Sequence, residues 1–146
     1  MLLGEHHHNI DDKGRLVIPN EYRSELGSKF VITRGIEQCL YVYSLTEWDK
    51  LVAKLNTLPF TKKDARTFMR SFFSGATVCE FDKTGRINIT SPLVSYAGLD
   101  KSCVIIGVND RLEIWNESLF NSFMSDNSEK LEDIAEHLFE VSNETL

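Results

Sequence analysis

Residues 10–18 read IDDKGRLVI and residues 81–89 read FDKTGRINI, so one pattern occurs twice in the chain. Each copy has Asp at the first position of a turn (Asp11 and Asp82) and Gly three residues later (Gly14 and Gly85). An Asp side chain can accept hydrogen bonds from the N–H groups of its own turn, and Gly tolerates a positive φ. The pattern therefore predicts a type I turn with a glycine bulge between two strands, once in each copy.

The similarity continues beyond the two turns. Each copy has a helical turn with Pro near its start and Gly at its end, followed by two apolar runs of strand length. The first copy gives a helical turn at 19–26 and strands at 29–33 and 40–43, and the second gives 92–97, 102–106 and 112–115. We therefore expect two modules, 5–47 and 76–119, each made of two hairpins joined by a helical turn.

Helical patterns lie between and after the modules. Residues 44–47 (SLTE) form a capping box that starts a helix, which Pro59 should end. A second helix is predicted over 62–73, and an amphipathic helix is predicted near 131–139. We assign 48–75 as connecting helices and 120–146 as an acidic helical tail. The predicted fold class is α+β, with a mainly β core and flanking helices.

The distribution of charge matters more than its total. The chain has 146 residues and a formal net charge of −6. Residues 1–91 contain 13 Lys and Arg against 11 Asp and Glu, whereas residues 92–146 contain 3 against 11. Because salt limits the reach of exposed charges to ~8 Å, the acidic second half does not exclude a basic patch in the first.

Several classes of function are not indicated. The apolar runs are far shorter than a membrane helix, and the start of the chain shows no secretion signal. Cys39, Cys79 and Cys103 are odd in number and widely spaced, so we expect three small buried side chains in a reducing cytoplasm. We find no catalytic or nucleotide-binding motif, and expect neither an enzyme nor a cofactor, small-molecule substrate or membrane partner.

Three consecutive histidines, His6, His7 and His8, invite a metal hypothesis. In a strand only His6 and His8 would share a side, and two ligands do not complete a zinc site. No metal site is therefore predicted, although a metal-dependent enzyme that uses these histidines stays an alternative.

The strongest candidate site is the repeated Asp-x-x-x-Arg pair, Asp11 with Arg15 and Asp82 with Arg86. An arginine held beside a rigid turn can donate two hydrogen bonds to a phosphate or to a guanine edge, and a two-stranded ribbon fits the major groove. The competing interpretation is a surface salt bridge that stabilises the turn by ~0–1 kcal/mol. Duplication of the pair favours a functional role.

Further cations accompany these pairs. Lys13 and Lys83 lie in the same two loops and would add attraction for phosphate. A stripe on the helix predicted over 62–73 provides a possible secondary surface for phosphate or for another subunit, with a solvated helix face as the alternative. Its members are Lys62, Arg66 and Arg70.

The duplicated loops and several other segments together resemble the MraZ family over nearly the full chain. These segments are Gly4-Glu5, residues 16–19 (LVIP), residues 33–35 (TRG) and residues 112–115 (LEIW). MraZ is grouped with AbrB, SpoVT and the MazE antitoxins. The resemblance implies a double-split, swapped-hairpin β-barrel made from the two repeats, and a ring-shaped homo-oligomer.

The resemblance also implies a function and a set of site residues. It implies a sequence-specific transcriptional regulator of the bacterial division and cell-wall gene cluster. Such a regulator binds repeated promoter boxes in double-stranded DNA. The implied location is the cytoplasm and the nucleoid. The implied DNA-binding residues are Lys13, Gly14, Arg15, Lys83, Gly85 and Arg86. Asp11 and Asp82 would stabilise the turns.

The second copy departs from the family pattern at two positions. Thr90 stands where an Ile-Pro pair is common, and Val94 stands where the first copy has Arg23. These departures predict that the first module contacts DNA more strongly. Two other functions stay open: an antitoxin-like module that neutralises a toxin, and an oligomeric interaction scaffold that does not bind DNA.

Overall fold

The computed structural model describes residues 1–142. The strands are β1 (Glu5–Asn9), β2 (Arg15–Val17), β3 (Lys29–Arg34), β4 (Leu40–Ser44), β5 (Thr77–Glu80), β6 (Arg86–Asn88), β7 (Ser102–Gly107) and β8 (Leu112–Asn116). The helices are α1 (Asn20–Leu26), α2 (Leu45–Leu55), α3 (Lys63–Ser74), α4 (Ser91–Ala97), α5 (Glu117–Ser128) and α6 (Leu131–Ser142). The predicted α+β class is confirmed, and residues Met1–Asn116 and the segment from Glu117 onward form two separate units.

The first unit contains two antiparallel sheets. Six strands pair in the order β1-β7-β8-β4-β3-β5, and β2 pairs with β6 in a second, two-stranded sheet. The predicted hairpins β3–β4 and β7–β8 are confirmed. Across the described residues, no strand ladder joins the two sheets into a closed barrel.

The first hairpin predicted in each module does not form: β1 does not pair with β2, and β5 does not pair with β6. The turns form, but β1 pairs with β7, β5 pairs with β3, and β2 pairs with β6, so every arm pairs with the other repeat. A hairpin with arms of three residues would be marginally stable alone, because it buries little apolar surface. Pairing across the repeats gives each arm a buried partner, as in the register of Leu16 opposite Ile87.

A single core joins the two sheets. Alternate residues of the central strands point into it, with Phe30 and Ile32 from β3 and Leu40 and Val42 from β4. The short ribbon of β2 and β6, together with the residue that follows each strand, also contributes to this core. Its fully buried or nearly buried members are Leu16, Ile18, Ile87 and Ile89.

Helices α2 and α3 cover the outer face of the large sheet. The rings of Trp48 and Phe72 stack with centroids 5.6 Å apart, and the buried Thr33 hydroxyl donates to the Phe72 carbonyl at 2.6 Å. The predicted capping box is confirmed, since the Ser44 side chain accepts from the Glu47 N–H at 3.2 Å. Helix α2 ends at Leu55, before Pro59 is reached.

The second unit contains α5 and α6. The predicted amphipathic helix is confirmed as α6, whose Leu131, Ile134 and Leu138 side chains are exposed beside acidic neighbours. Residues 143–146 of the predicted acidic tail lie outside the described residues. Within the described part of the chain, no helix is both long and apolar enough to cross a membrane.

The three cysteines only partly follow the expectation of burial. Cys39 and Cys103 are buried, whereas Cys79 on the edge strand β5 is half-buried against the core. Burial raises the pKa of the Cys79 thiol to about 11. This side chain is therefore a thiol near neutral pH, which favours a packing role.

The two-stranded ribbon should contribute strongly to stability. Leu16→Ala empties a fully buried position opposite Ile87 and should lower the free energy of unfolding by ~2–5 kcal/mol. Val78→Ala on β5, where the side chain is 62% exposed, should change it by only ~0.5 kcal/mol. Urea unfolding of both variants measures the difference. Equal losses would contradict a core that includes the ribbon.

Candidate nucleic-acid interface

The first loop is held by its own aspartate. One carboxylate oxygen of Asp11, Oδ1, accepts from the backbone N–H groups of Lys13 at 3.0 Å and Arg15 at 2.8 Å. The other, Oδ2, accepts from Arg15 Nε at 2.7 Å. The turn closes where the Gly14 N–H donates to the Asp11 carbonyl, with Gly14 at a φ of +80°. The predicted turn chemistry is thereby confirmed.

The second loop repeats this geometry. Asp82 Oδ1 accepts from the backbone N–H groups of Thr84 and Arg86, both at 2.9 Å, and Oδ2 accepts from Arg86 Nε at 2.8 Å. Gly85 has a φ of +78°. The Thr84 hydroxyl adds a hydrogen bond to Asp82 Oδ1 at 2.9 Å. Both arginines are thus fixed to their turns through Nε alone.

The two loops also hold each other. The Ile18 N–H donates to the Gly85 carbonyl at 3.1 Å, and the Ile89 N–H donates to the Gly14 carbonyl at 2.7 Å. A Cβ added to Gly14 would overlap the Ile89 carbonyl oxygen. Each loop therefore depends on a strand end of the other repeat for its position.

This pairing brings the two arginines together. Arg86 NH1 lies 4.0 Å from Asp11 Oδ2, the same oxygen that accepts from Arg15 Nε. The two side chains are 36% and 32% exposed, so they share one accessible surface. A guanidinium carries five N–H donors, and Nε supplies only one of them. The terminal nitrogens of both arginines can therefore bind an anion or a guanine edge.

Hydrogen bonds within each loop lower the pKa of its aspartate. The backbone N–H of Arg15 is the main cause that lowers the pKa of Asp11, with the Arg15 side chain and the Lys13 N–H adding to it. The pKa of Asp82 is lowered well below its usual range, first by the backbone N–H of Arg86 and then by Thr84. Both groups are carboxylates at neutral pH, which keeps the arginines oriented.

The two lysines occupy different positions in their turns. Both Lys13 and Lys83 are exposed, but Lys83 stands where the first loop has Asp12, and Thr84 stands where it has Lys13. The second loop is consequently the more cationic of the two. A net positive loop attracts phosphate more strongly than a neutral one.

The stripe on α3 has different neighbours from the loops. Lys62 is the residue before the helix, Arg66 donates to the Phe60 carbonyl at 3.0 Å, and Arg70 is exposed. Arg66 and Arg70 line a mostly apolar cavity of about 220 Å³ with Leu58, Phe60, Ala65 and Met69. Helix α3 packs on β3 of the large sheet, whereas the arginine loops belong to β2 and β6.

The histidines pair with carboxylates. His6 Nε2 lies 2.8 Å from Glu21 Oε1, and His7 Nε2 lies 2.8 Å from Glu5 Oε2. Among the residues that the structure describes, no group of three or more His, Cys, Asp or Glu side chains could hold a metal ion.

Sequence reasoning missed the contact of Arg23 with the second loop. Arg23 lies on α1 of the first repeat, yet a Cβ added to Gly85 would overlap its guanidinium. Helix α4, which carries Val94, instead lines a cavity beside Gly14 of the first loop. The replacement of Arg by Val at position 94 therefore changes the surroundings of the first loop rather than the second. Alignment of the two repeats shows Val94 in place of Arg23. Only the exchange of strands between the repeats shows that this difference affects the first loop.

A comparison with known proteins also finds the duplication. A family model described as "MraZ protein, putative antitoxin-like" matches residues 1–71 and again residues 72–142. A protein named transcriptional regulator MraZ, from Lactobacillus helveticus (strain DPC 4571), is 52% identical over 141 residues. That alignment covers 97% of this chain and 99% of the relative.

The carboxylates of Asp11 and Asp82 should make the free energy of unfolding depend on pH in the acid range. Because folding lowers the pKa of Asp11 and Asp82, their contribution is complete above the unfolded value of ~3.9 and is lost as the pH falls through the folded values. In urea unfolding, the stability advantage of the native chain over Asp11→Asn/Asp82→Asn should shrink below about pH 4. An advantage that stays constant down to pH 2 would contradict this account.

Proposed function

The chain belongs to the MraZ family, and from this membership and the loop geometry we propose that it is a transcriptional regulator that binds double-stranded DNA. The observation that carries the proposal is the placement of Arg15 and Arg86 around one carboxylate oxygen of Asp11. The two guanidinium groups, each held to its own turn through Nε, then lie close enough to bind one anion. A repeated anion such as the DNA backbone matches that pair.

The ribbon of β2 and β6 supplies the shape for the contact. A two-stranded ribbon is narrow enough to enter the major groove, where an arginine can donate to both acceptors of a guanine. Lys13, Gly14 and Arg15 would contact DNA from the first loop, and Lys83, Gly85 and Arg86 from the second. Asp11 and Asp82 keep the loops in shape. Lys62, Arg66 and Arg70 are a secondary surface for DNA or for another subunit.

The domain assignment follows the repeat. The functional modules are 5–47 and 76–119, residues 48–75 connect them, and residues 120–146 form the tail. The arms that pair with the opposite repeat support a swapped-hairpin, double-split β-barrel. In this arrangement, two modules of one chain build a single interface.

Assembly would strengthen an interface that is weak in one subunit. We assign the protein a ring-shaped homo-oligomer that binds repeated promoter boxes upstream of the division and cell-wall gene cluster. The expected location is the cytoplasm and the nucleoid. Linking several subunits on spaced boxes raises the overall affinity without any new contact. The acidic net charge is compatible with this function, since most of it arises in residues 92–146.

An antitoxin-like function is the second candidate. The exposed apolar side chains of α6, among them Leu131, Ile134 and Leu138, could cover a partner protein. Co-expression with the product of a neighbouring gene tests it. Relief of growth arrest that persists in Arg15→Ala would favour neutralisation of a toxin. A neighbouring product that does not arrest growth would remove this candidate.

DNA affinity should depend on both arginines. Fluorescence anisotropy on DNA from upstream of the protein's own gene, against a scrambled duplex, measures selective binding. Arg15→Ala and Arg86→Ala should each lose about tenfold or more, the cost of a charge-assisted hydrogen bond. If each bound subunit neutralises ~2 phosphates, it adds about −1.8 to the slope of log K against log salt. Lys54→Ala, at an exposed lysine of α2 that lies in neither loop nor the secondary surface, is the control and should leave the affinity unchanged.

The same samples separate the alternatives. Light scattering first establishes the mass of the assembly, and shorter upstream fragments then test whether affinity needs several boxes. Equal affinity for short and long fragments would contradict binding by a ring. If the native assembly binds neither the upstream nor the scrambled duplex, the interaction scaffold replaces DNA binding as the favoured function.

A further inference from the structure

Arg23 joins the first repeat to the loop of the second. Its Nε donates to the Ile18 carbonyl at 2.9 Å, which fixes the guanidinium beside the end of β2. The same guanidinium lies against Gly85, since a Cβ there would overlap its NH1 and Cζ atoms. The absence of a side chain at Gly85 therefore provides the space that the arginine occupies. Arg86 is the next residue of that loop.

The hydrogen bond found for the Arg23 side chain uses Nε and neither terminal nitrogen. Within residues 1–142, the Ile18 carbonyl is the only hydrogen-bond acceptor found for this side chain. NH1 and NH2 together carry four of the five guanidinium N–H donors. The side chain is half-buried, which restricts its motion while leaving part of it accessible. Arg23 is therefore fixed through Nε, as Arg15 and Arg86 are.

The first loop has no such arginine. By the repeat, Val94 on α4 corresponds to Arg23 on α1, and Ile89 corresponds to Ile18. Beside Gly14, a cavity of about 310 Å³ takes the place of the arginine, and Val94, Asp12 and Asp100 help to line it. The surroundings of the second loop are therefore cationic, whereas those of the first loop include additional carboxylates.

We propose that Arg23 is a third arginine of the DNA interface and that it binds a backbone phosphate beside the second loop. The inference rests on the proposed function and extends it. A phosphate suits this group because its two outer nitrogens can contact two oxygens of one anion. Contacts to phosphate position a protein on DNA without reading sequence. Arg23 thus gives the second loop an anchor that the first loop lacks.

The test separates loss of charge from loss of structure. Arg23→Gln removes the charge, whereas Arg23→Lys retains it, and Val94→Ala changes the corresponding position on α4. Anisotropy with the upstream duplex, at several salt concentrations, gives the affinity and the salt slope of each assembled variant. Urea unfolding confirms that each variant is folded.

Arg23→Gln should lose about tenfold in affinity for both upstream and scrambled duplex. Its salt slope should become shallower by about 0.9 for each bound subunit. Arg23→Lys should keep the native slope, and Val94→Ala should keep both affinity and slope. An unchanged slope in Arg23→Gln would overturn the proposal, as would equal losses in the Gln and Lys variants, because either result shows that Arg23 only supports the loop.

The failure of this inference differs from the failure of the proposed function. If the native assembly binds DNA and Arg15→Ala weakens it, the Arg23 variants alone decide the role of Arg23. If the native assembly does not bind the upstream duplex at any salt concentration, DNA binding itself is overturned, and the assignment of Arg23 is overturned with it.

Discussion

Two reciprocal backbone hydrogen bonds set the geometry on which the interface depends. The Gly85 carbonyl accepts from the Ile18 N–H, and the Gly14 carbonyl accepts from the Ile89 N–H, so each loop is held by the opposite repeat. Neither loop could be positioned in this way by its own module. The buried residues Leu16 and Ile87 reinforce the exchange, because they place the two short strands in a shared core. The duplicated sequence thus supplies both partners of the exchange within one chain.

The same exchange creates the candidate interface. Two arginines that are distant in sequence become neighbours around Asp11. The side chain of each donates to the aspartate of its own turn through Nε only. The aspartates are ionised at neutral pH, and hydrogen bonds from backbone N–H groups lower their pKa further. The arginines are therefore oriented before a ligand arrives, which reduces the entropy lost on binding. Their terminal nitrogens supply the direct contacts to that ligand.

Local chemistry explains which features the sequence could predict. The turn at Asp11–Gly14, the capping box at Ser44 and the apolar strands β3 and β4 are specified by neighbouring residues, and all three are confirmed. The partners of β1, β2 and β5 could not be predicted, because strand pairing between distant segments leaves no signal in short-range spacing. The position of Arg23 beside Gly85 was missed for the same reason. Likewise, the sequence shows that Val94 aligns with Arg23. It does not show that Val94 lies beside the first loop, because that position follows from the exchange of strands.

Hydrogen–deuterium exchange of the assembled protein, with and without its upstream DNA, tests the central claim most directly. In the free protein, the N–H groups of Ile18 and Ile89 should exchange as slowly as those of the central strands, since both are held across the repeats. On addition of DNA, protection should increase together in residues 11–18 and 82–89, and by more than in residues 62–70. Rapid exchange at Ile18 and Ile89 in the free protein, or DNA protection confined to residues 62–70, would contradict an interface built from two interlocked loops.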